Sequence, residues 1–212
     1  MDTKKTIAAL FDLDGVVLDT EGQYTKIWKE IGDRYTDIAD FEQKIKGMTL
    51  TQILDKHFTD DKVKRDVYDT LYSKEQYMSY PYIKGLEHFV ADLRAHSVKT
   101  VIVTSSNNEK MQNVYNAHPE FKEYFDIILT ADDFSKSKPA PDCYLMGAQA
   151  ANADIDNCVV FEDSKNGLIS GKSALMKVVG LVTTNPRSVV EILSDVAIDD
   201  FTQFSYEEMI KL

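Results

Sequence analysis

Residues 11–17 read Phe11-Asp12-Leu13-Asp14-Gly15-Val16-Val17, so two carboxylates stand directly after the apolar run Thr6 to Phe11. In extended chain, residues two apart point to the same side, and Asp12 and Asp14 therefore leave the strand together. Gly15 allows an unusual backbone angle or a close approach to another group. Adjacent carboxylates repel each other and attract a divalent cation, which favours a ligand site over a solvated acidic loop.

Short apolar runs recur along the chain and, from about residue 83, alternate with helix-like segments. They are near-continuously apolar, as strands buried on both faces of a parallel sheet are. The predicted strands are Thr6 to Phe11, Lys99 to Val103, Phe125 to Thr130, Cys158 to Phe161 and Val178 to Val182. The predicted helices between them are Leu86 to Ala95, Glu109 to Asn116, Pro141 to Ala151, Gly167 to Leu175 and Arg187 to Leu193. This alternation predicts an α/β fold with a three-layer, Rossmann-like parallel sheet.

Residues 20–82 break the alternation, because only helical patterns occur there. The predicted helices are Glu21 to Tyr35, Phe41 to Lys46, Leu50 to Phe58 and Lys62 to Tyr80. A crossover between two strands rarely needs about 60 residues. We therefore predict an inserted all-α cap domain, residues 20–82, and an α/β core domain, residues 1–19 and 83–212. The alternative is that these helices belong to the layers of the main sheet.

Polar side chains also follow the second, third and fourth predicted strands. They are Thr104 with Ser105, then Lys138, then Glu162 with Asp163. The carboxyl ends of parallel strands share one edge of the sheet, so these groups are expected near Asp12 and Asp14. Hydroxyl and backbone N–H groups with a lysine suit a phosphate, and carboxylates from two strands suit Mg²⁺. Taken singly, each of these signals is also compatible with a helix cap or a surface charge.

The chain resembles the haloacid dehalogenase superfamily along nearly its whole length. The four motifs of that family match Asp12-x-Asp14-Gly15-Val16, Thr104, Lys138 and Glu162-Asp163. The forms Lys-Pro-x-Pro-Asp and Glu-Asp-Ser-x-x-Gly are similar to those of the branch that includes β-phosphoglucomutases and small sugar-phosphate phosphatases. In that branch a helical cap is inserted after the first motif, which agrees with residues 20–82.

The resemblance implies a Mg²⁺-dependent phosphohydrolase that works through an aspartyl-phosphate intermediate. Asp12 would attack phosphorus, and Asp14 would protonate the leaving oxygen and then activate water. The groups implied to hold the transferring phosphoryl group are Thr104, Ser105 and Lys138. The groups implied to bind Mg²⁺ are the Asp12 carboxylate, the Asp14 backbone carbonyl, Asp163 and Glu162, the last as a ligand or a close neighbour of the ion.

Two positions favour a phosphatase over a phosphomutase. Tyr24 stands where the β-phosphoglucomutases carry a histidine, and Leu50 stands where their cap carries a phosphate-binding arginine. The alternatives are a β-phosphoglucomutase-type mutase, a dehalogenase, which the acid–base group Asp14 disfavours, and a non-catalytic binding protein of the same fold. The substrate is expected to be a sugar or polyol phosphate. Cap residues that could line its pocket, or form the core of the cap, are Tyr24, Trp28, Tyr35, Thr49 and Gln52.

Composition narrows the class of partner. A net charge of −11 disfavours nucleic acid and anionic membrane surfaces as partners. The partner that the resemblance implies is a small phosphorylated substrate, and the expected state is a monomer. The N-terminal MDTKK followed by the short apolar segment Ile7 to Leu10 lacks the features of a signal peptide, and no apolar stretch is long enough to span a membrane. Cys143 and Cys158 form no metal-binding or disulfide pattern, so we expect a cytoplasmic location.

Overall fold

A computed structural model of the chain describes residues 5–212. Residues 1–4, which belong to the predicted core segment and to the MDTKK N-terminus, lie outside the described residues. Within the described range, six parallel strands form one sheet in the order β3-β2-β1-β4-β5-β6. The strands are β1 (Ala8–Phe11), β2 (Lys99–Val103), β3 (Ile127–Leu129), β4 (Cys158–Glu162), β5 (Lys177–Leu181) and β6 (Val196–Ile198).

The helices begin with four that precede β2 in the chain, α1 (Glu21–Tyr35), α2 (Phe41–Lys44), α3 (Leu50–His57) and α4 (Asp61–Glu75). The others are α5 (Leu86–Ala95), α6 (Asn108–Ala117), α7 (Phe121–Tyr124), α8 (Asp142–Ala150), α9 (Lys165–Ser173), α10 (Arg187–Leu193) and α11 (Tyr206–Met209), with a 3-10 turn at Ile155–Asn157. In the part of the chain described, no helix combines the length and the apolar character needed to cross a membrane.

Both faces of the sheet are covered, which confirms the predicted three-layer α/β fold. Successive residues of β1 point to opposite faces, so that Phe11 packs in one hydrophobic cluster and Leu10 in the other. The Phe11 ring stacks on Phe161 of β4, with ring centroids 4.6 Å apart. Because β1 is the central strand, paired with β2 on one side and β4 on the other, the residues after all three strands meet at one edge.

The predicted elements agree with the structure apart from short shifts at their ends and three omissions. The strand β6 and the helices α7 and α11 are three or four residues long and carry too few residues to show a period. The helix α4 ends at Glu75, whereas the sequence predicted an end at Tyr80. Pro81 excludes Tyr80 from the helix, since the residue before a proline is disfavoured in helical conformation. The chain leaves the helix earlier than that, in a turn at Gln76 and Tyr77.

Residues 20–82, called the helical segment below, have a hydrophobic cluster of their own. Its buried members are Trp28, Ile31, Phe41, Ile45, Ile53, Phe58, Val67 and Leu71. Phe41 lies at the centre, with ring centroids 6.2 Å from Trp28 and 5.9 Å from Phe58. The helix α3 begins with a capping box, in which Thr49 and Gln52 satisfy each other's backbone N–H groups. Apolar packing and a local cap thus stabilise these helices apart from the sheet.

The two passages of chain between the sheet and the helical segment lie side by side. Leu18 and Tyr82 form an antiparallel bridge. The Asp19 N–H donates to the Pro81 carbonyl at 2.8 Å, and the Ile83 N–H donates to the Val17 carbonyl at 3.0 Å. The backbone therefore leaves the sheet and returns to it at one point.

Candidate active site

All seven predicted site residues lie at the carboxyl edge of the sheet, in the connections after β1, β2, β3 and β4 or at the end of β4. Six of them line a cavity of about 460 Å³ between this edge and the helical segment: Asp12, Asp14, Thr104, Ser105, Lys138 and Asp163. The seventh, Glu162, is fully buried directly beneath them and contacts Lys138. This volume falls in the range of about 300–1,000 Å³ that is usual for small-molecule sites.

Lys138 is only 2% exposed and joins two of the carboxylates. Its Nζ lies 2.5 Å from Asp12 Oδ1 and 2.7 Å from Glu162 Oε1, and it also donates to the Val103 carbonyl at 3.1 Å. Burial alone lowers the pKa of Lys138, but the two carboxylates outweigh it and raise that pKa above its ordinary value. The lysine is therefore a fixed buried cation, which its sequence context alone did not distinguish from a surface lysine.

Asp12 is a buried carboxylate with one lysine partner. Burial raises its pKa to about 7, the positive charge of Lys138 opposes that rise, and the negative charge of Glu162 adds to it. The hydrogen bond from Lys138 engages Oδ1. Within residues 5–212 no hydrogen bond to Oδ2 is described, so this oxygen remains available for bonding to a ligand.

Hydrogen bonds engage both oxygens of Glu162. Oε1 accepts from Lys138 and from the Tyr144 hydroxyl at 3.0 Å. Oε2 accepts from the N–H groups of Asp163 and Ser164, at 2.9 and 3.0 Å, and from the Ser164 hydroxyl at 3.1 Å. Gly167 lies so close that a Cβ there would stand 1.7 Å from Oε1. Glu162 thus fixes Lys138 and the turn that carries Asp163.

Asp163 is held by residues that follow β5. Its Oδ2 accepts from the hydroxyls of Thr183, at 3.3 Å, and Thr184, while Asn185 donates to its backbone carbonyl at 2.8 Å. Gly15 has a φ of 77°, and a Cβ there would stand 2.0 Å from Oδ2, so both suggested roles of this glycine are observed. Burial, with the negative charges of Glu21 and Glu162, raises the pKa of Asp163 well above its usual range.

Three carboxylates meet closely enough to share one metal ion. Asp12, Glu162 and Asp163 each offer an oxygen within 4.8 Å of the others, and all three are buried. A set of buried, mutually repelling oxygen ligands fits a hard divalent cation such as Mg²⁺. Because five donors already engage Glu162, the oxygens best placed to ligate an ion belong to Asp12 and Asp163.

Asp14 has three partners, none of which the sequence analysis named. The Thr20 hydroxyl donates to Oδ1 at 2.5 Å, the Ser106 hydroxyl donates to Oδ2 at 3.2 Å, and Lys110 forms a salt bridge with Oδ2. Lys110 is 5% exposed and lies in the first turn of α6. A lysine in the first turn of the helix that follows β2 was the available signal for Lys110. The rule that polar residues after a strand gather at the carboxyl edge would also have singled out Thr183, Thr184 and Asn185 after β5.

Thr104 and Ser105 lie between β2 and α6. The Thr104 hydroxyl accepts from the Ser106 N–H at 3.0 Å and is almost fully buried. Asn107 caps α6 by accepting from the Lys110 N–H at 3.0 Å. Backbone N–H groups in the first turn of a helix attract anions, and this turn lies beside the cavity. The arrangement therefore offers hydroxyl and N–H donors next to the Asp12 carboxylate.

The helical segment supplies the opposite wall of the cavity. Of the five residues named for a pocket or a cap core, Tyr24, Trp28, Thr49 and Gln52 line the cavity, whereas Tyr35 packs against the hydrophobic cluster of the segment. Trp28 also belongs to that cluster.

Several contacts join the helical segment to the sheet edge around the cavity, among them a hydrogen bond and a cation–π contact. Asn166 Nδ2 donates to the Lys46 carbonyl at 2.9 Å, and the Lys110 ammonium lies 4.3 Å from the centre of the Tyr24 ring. The cavity is therefore covered on the side that faces away from the sheet.

Comparisons with known proteins show which family and which folds the chain is similar to. The profile of the family described as "Haloacid dehalogenase-like hydrolase" matches residues 9–204. The bifunctional riboflavin kinase/FMN phosphatase of Arabidopsis thaliana is 25% identical over 98% of this chain, and the chain spans 59% of that protein's length. Fructose-1-phosphate phosphatase YqaB of Escherichia coli is 27% identical, with coverage of 80% of this chain and 93% of the relative. The crystal structure of a HAD hydrolase from Entamoeba histolytica superimposes with a TM-score of 0.81, at 26% identity, and covers 97% of this chain and 98% of that one.

Proposed function

The chain belongs to the haloacid dehalogenase-like hydrolase family and is a phosphoric monoester hydrolase; we propose that it cleaves a small sugar or polyol phosphate with Mg²⁺, through an aspartyl-phosphate intermediate on Asp12. The observation that carries this proposal is the buried carboxylate of Asp12, fixed at Oδ1 by Lys138 and facing a cavity of metabolite size. The fructose-1-phosphate phosphatase relative supports the substrate class.

In the first half-reaction, a carboxylate oxygen of Asp12 forms a bond to phosphorus while the bond between phosphorus and the ester oxygen breaks. Asp14 gives its proton to the departing oxygen, which leaves as an alcohol. In the second half-reaction, Asp14 takes a proton from water as that water attacks phosphorus. The bond from phosphorus to Asp12 then breaks, and inorganic phosphate leaves with both carboxyl groups restored.

Lys138, Thr104 and Ser105 are proposed to hold the phosphoryl oxygens during both steps. A carboxylate approaches a phosphate dianion only when positive charge screens their repulsion. The buried ammonium of Lys138 lies beside the attacking carboxylate, and Glu162 prevents it from moving away. The Thr104 hydroxyl and the backbone N–H groups at the start of α6 supply hydrogen-bond donors for the phosphoryl oxygens in fixed positions.

Mg²⁺ is proposed to bind at the carboxylates of Asp12 and Asp163 and at the Asp14 backbone carbonyl, with Glu162 adjacent. When bound, the ion would screen the charge of the phosphoryl group and orient it for attack. The raised pKa values of Asp12 and Asp163 support this proposal, because they reflect buried negative charge that lacks sufficient positive compensation.

We further propose that the helical segment, residues 20–82, is a cap domain and that the core domain consists of residues 1–19 and 83–212. The separate hydrophobic cluster of the segment and the adjacent passages at Leu18 and Tyr82 support this division. A monomeric state and a cytoplasmic location remain predictions from the sequence, and size-exclusion chromatography with light scattering would test the first.

The direct test is hydrolysis of p-nitrophenyl phosphate, measured with Mg²⁺ and with EDTA. We expect EDTA to lower turnover at least about 100-fold and Mg²⁺ to restore it, since the carboxylates would otherwise repel the phosphate. Ca²⁺ should not restore it, because its larger and looser coordination shell misplaces the reacting groups. Full turnover in EDTA would contradict the metal assignment and favour the dehalogenase alternative.

The phosphomutase alternative has a separate test. The Tyr24 hydroxyl donates to Glu75 at 2.7 Å, and Leu50 is aliphatic, so neither replaces the cationic groups that a bisphosphate intermediate needs. We expect β-glucose 1-phosphate, supplied with a trace of the 1,6-bisphosphate, to yield inorganic phosphate. Formation of glucose 6-phosphate faster than inorganic phosphate would identify a mutase instead.

A further inference from the structure

Lys110 occupies a position that costs stability unless another group compensates its charge. It is only 5% exposed and lies in the first turn of α6. Burial of an ammonium is costly, and the first turn of a helix carries partial positive charge that repels a cation. The compensating group is Asp14, which forms a salt bridge with Lys110 across 96 residues of sequence. The chain thus places a buried cation at an unfavourable site, and its salt-bridge partner there is the proposed acid–base group.

Donors from three parts of the chain fix the carboxyl group of Asp14. The Thr20 hydroxyl, just before α1, donates to Oδ1 at 2.5 Å. The Ser106 hydroxyl, between β2 and α6, and the Lys110 ammonium both donate to Oδ2. A carboxyl group held at both oxygens keeps one orientation, and a proton is delivered efficiently only from a fixed distance and angle. Of these three donors Lys110 alone carries a charge, which makes its hydrogen bond the strongest.

The same ammonium contacts the helical segment. It lies 4.3 Å from the centre of the ring of Tyr24, a residue of α1. The face of an aromatic ring attracts a cation, and more strongly where water is excluded. The Tyr24 hydroxyl in turn donates to Glu75 of α4 at 2.7 Å. Burial raises the pKa of Glu75, while the positive charge of Lys110 opposes that rise. Lys110 therefore lies between Asp14 and two helices of the helical segment.

We propose that Lys110 is a positioning residue. Its ammonium holds the Asp14 carboxyl group in the orientation that serves the departing oxygen, and the Tyr24 ring of the helical segment holds that ammonium in place. This inference rests on the proposed function, in which Asp14 transfers the proton. Lys110 acts through Asp14 rather than on the substrate, and it couples the position of the helical segment to the proton-transferring group at the sheet edge.

The test varies how much the departing oxygen needs a proton. In the series p-nitrophenyl, phenyl and benzyl phosphate this need increases, because p-nitrophenolate is a stable anion and benzyl alkoxide is not. The value of kcat/KM, measured with Mg²⁺, reports the steps up to departure of the alcohol. In Lys110→Met we expect the ratio of kcat/KM for p-nitrophenyl phosphate to that for benzyl phosphate to rise at least about tenfold. This rise is part of the roughly 10²–10⁴-fold that general acid catalysis contributes.

Substitutions of Tyr24 test the link to the helical segment. Tyr24→Leu removes the ring and should raise the same ratio at least about threefold, the effect expected from loss of a cation–π contact, whereas Tyr24→Phe keeps the ring and should not. Combined with Lys110→Met, Tyr24→Leu should add nothing, because the ring acts through the ammonium. Lys122→Met is the matched control. Lys122 also lies over a tyrosine ring, 4.1 Å from the centre of Tyr115, but it is exposed and is not among the residues that line the cavity.

Equal slowing of all three esters in Lys110→Met would show a merely structural role, and an unchanged ratio would show no role, so either result overturns the proposal. Additive effects of the Tyr24 and Lys110 substitutions would overturn the link to the helical segment. Circular dichroism checks the fold of each variant, and Tyr24→Leu carries the test on its own should Lys110→Met not fold. Asp14→Asn reports separately on the proposed function, because it should raise the ratio whatever Lys110 does. If Asp14→Asn leaves the ratio unchanged, the acid–base assignment fails, and this inference fails with it.

Discussion

The sheet edge and the helical segment form opposite walls of one cavity, yet they fix their side chains very differently. At the sheet edge, Glu162 accepts five hydrogen bonds from four residues and lies on a central strand. In the helical segment, Glu75 accepts one, from Tyr24. A chemical step requires its reacting atoms to be placed to within a fraction of an ångström. The densely hydrogen-bonded sheet edge suits such a step. The helical segment suits substrate recognition. A residue there can be replaced without breaking a hydrogen-bond network, so that specificity can change while the sheet edge stays the same.

At the sheet edge, the substitution expected to have the largest effect is Asp12→Asn. The amide keeps the shape but removes the attacking charge, so we expect kcat to fall at least about 10³-fold with the fold intact. Phosphate release and circular dichroism would measure the two effects. Asp37→Asn, at an exposed position of the helical segment, is the control and should retain full activity. Turnover of the Asp12 variant near that of the unsubstituted enzyme would refute the nucleophile assignment.

Lys138→Met should lower kcat at least about 100-fold, since it removes the cation beside Asp12, the proposed nucleophile. It leaves Asp12 and Glu162 buried without their partner, and we expect a loss of about 3–5 kcal/mol in the free energy of unfolding. Phosphate release and urea denaturation would report on the two losses.

Lys136→Met is the matched control for the Lys138 substitution. The side chain of Lys136 is 68% exposed and lies two residues earlier. Its salt bridge to Asp142 is a surface pair, and such pairs contribute about 1 kcal/mol or less. Similar losses in the two variants would show that Lys138 has no special role.

In the helical segment the largest effect should come from its apolar centre. Phe41→Ala removes a ring that is 1% exposed and packs on Trp28 and Phe58, so we expect a loss of about 3–5 kcal/mol in the stability of the segment. Limited proteolysis should then cut within residues 20–82 before it cuts the sheet. Tyr77→Ala, at a position 89% exposed in the same segment, should change little. Cleavage of the sheet first would contradict the separate stability of the two regions.

The smallest effect is expected on the surface of the helical segment. Lys74→Met breaks a pair with Glu30 at 2.8 Å, in which the two side chains are 36% and 63% exposed. Solvent screens such pairs, so the free energy of unfolding should change by less than about 1 kcal/mol. Urea denaturation would measure this change. If Lys74→Met lowered the free energy of unfolding as much as Lys138→Met, burial would not explain why the sheet-edge ion pair is the more stabilising of the two.

The same contrast explains how much could be predicted from the sequence. Buried strands leave continuous apolar runs, and their carboxyl ends converge by topology, so the fold and the positions of Asp12, Lys138 and Glu162 could be predicted. The partners of those residues could not. Lys110 occupies an ordinary position near the start of a helix, and its contact with Asp14 spans 96 residues of sequence. The edge strand β6 is too short to show a pattern.

The adjacent passages at Leu18 and Tyr82 bring the two ends of the helical segment together. Because the chain departs and returns at neighbouring backbone positions, a different set of helices could be grafted there without shifting the register of any strand. Sites where the two ends of a segment lie close together are the ones at which proteins accept foreign domains. The same sheet edge would in this way combine with different helical segments, each of which would line the cavity with its own side chains and so bind its own metabolite.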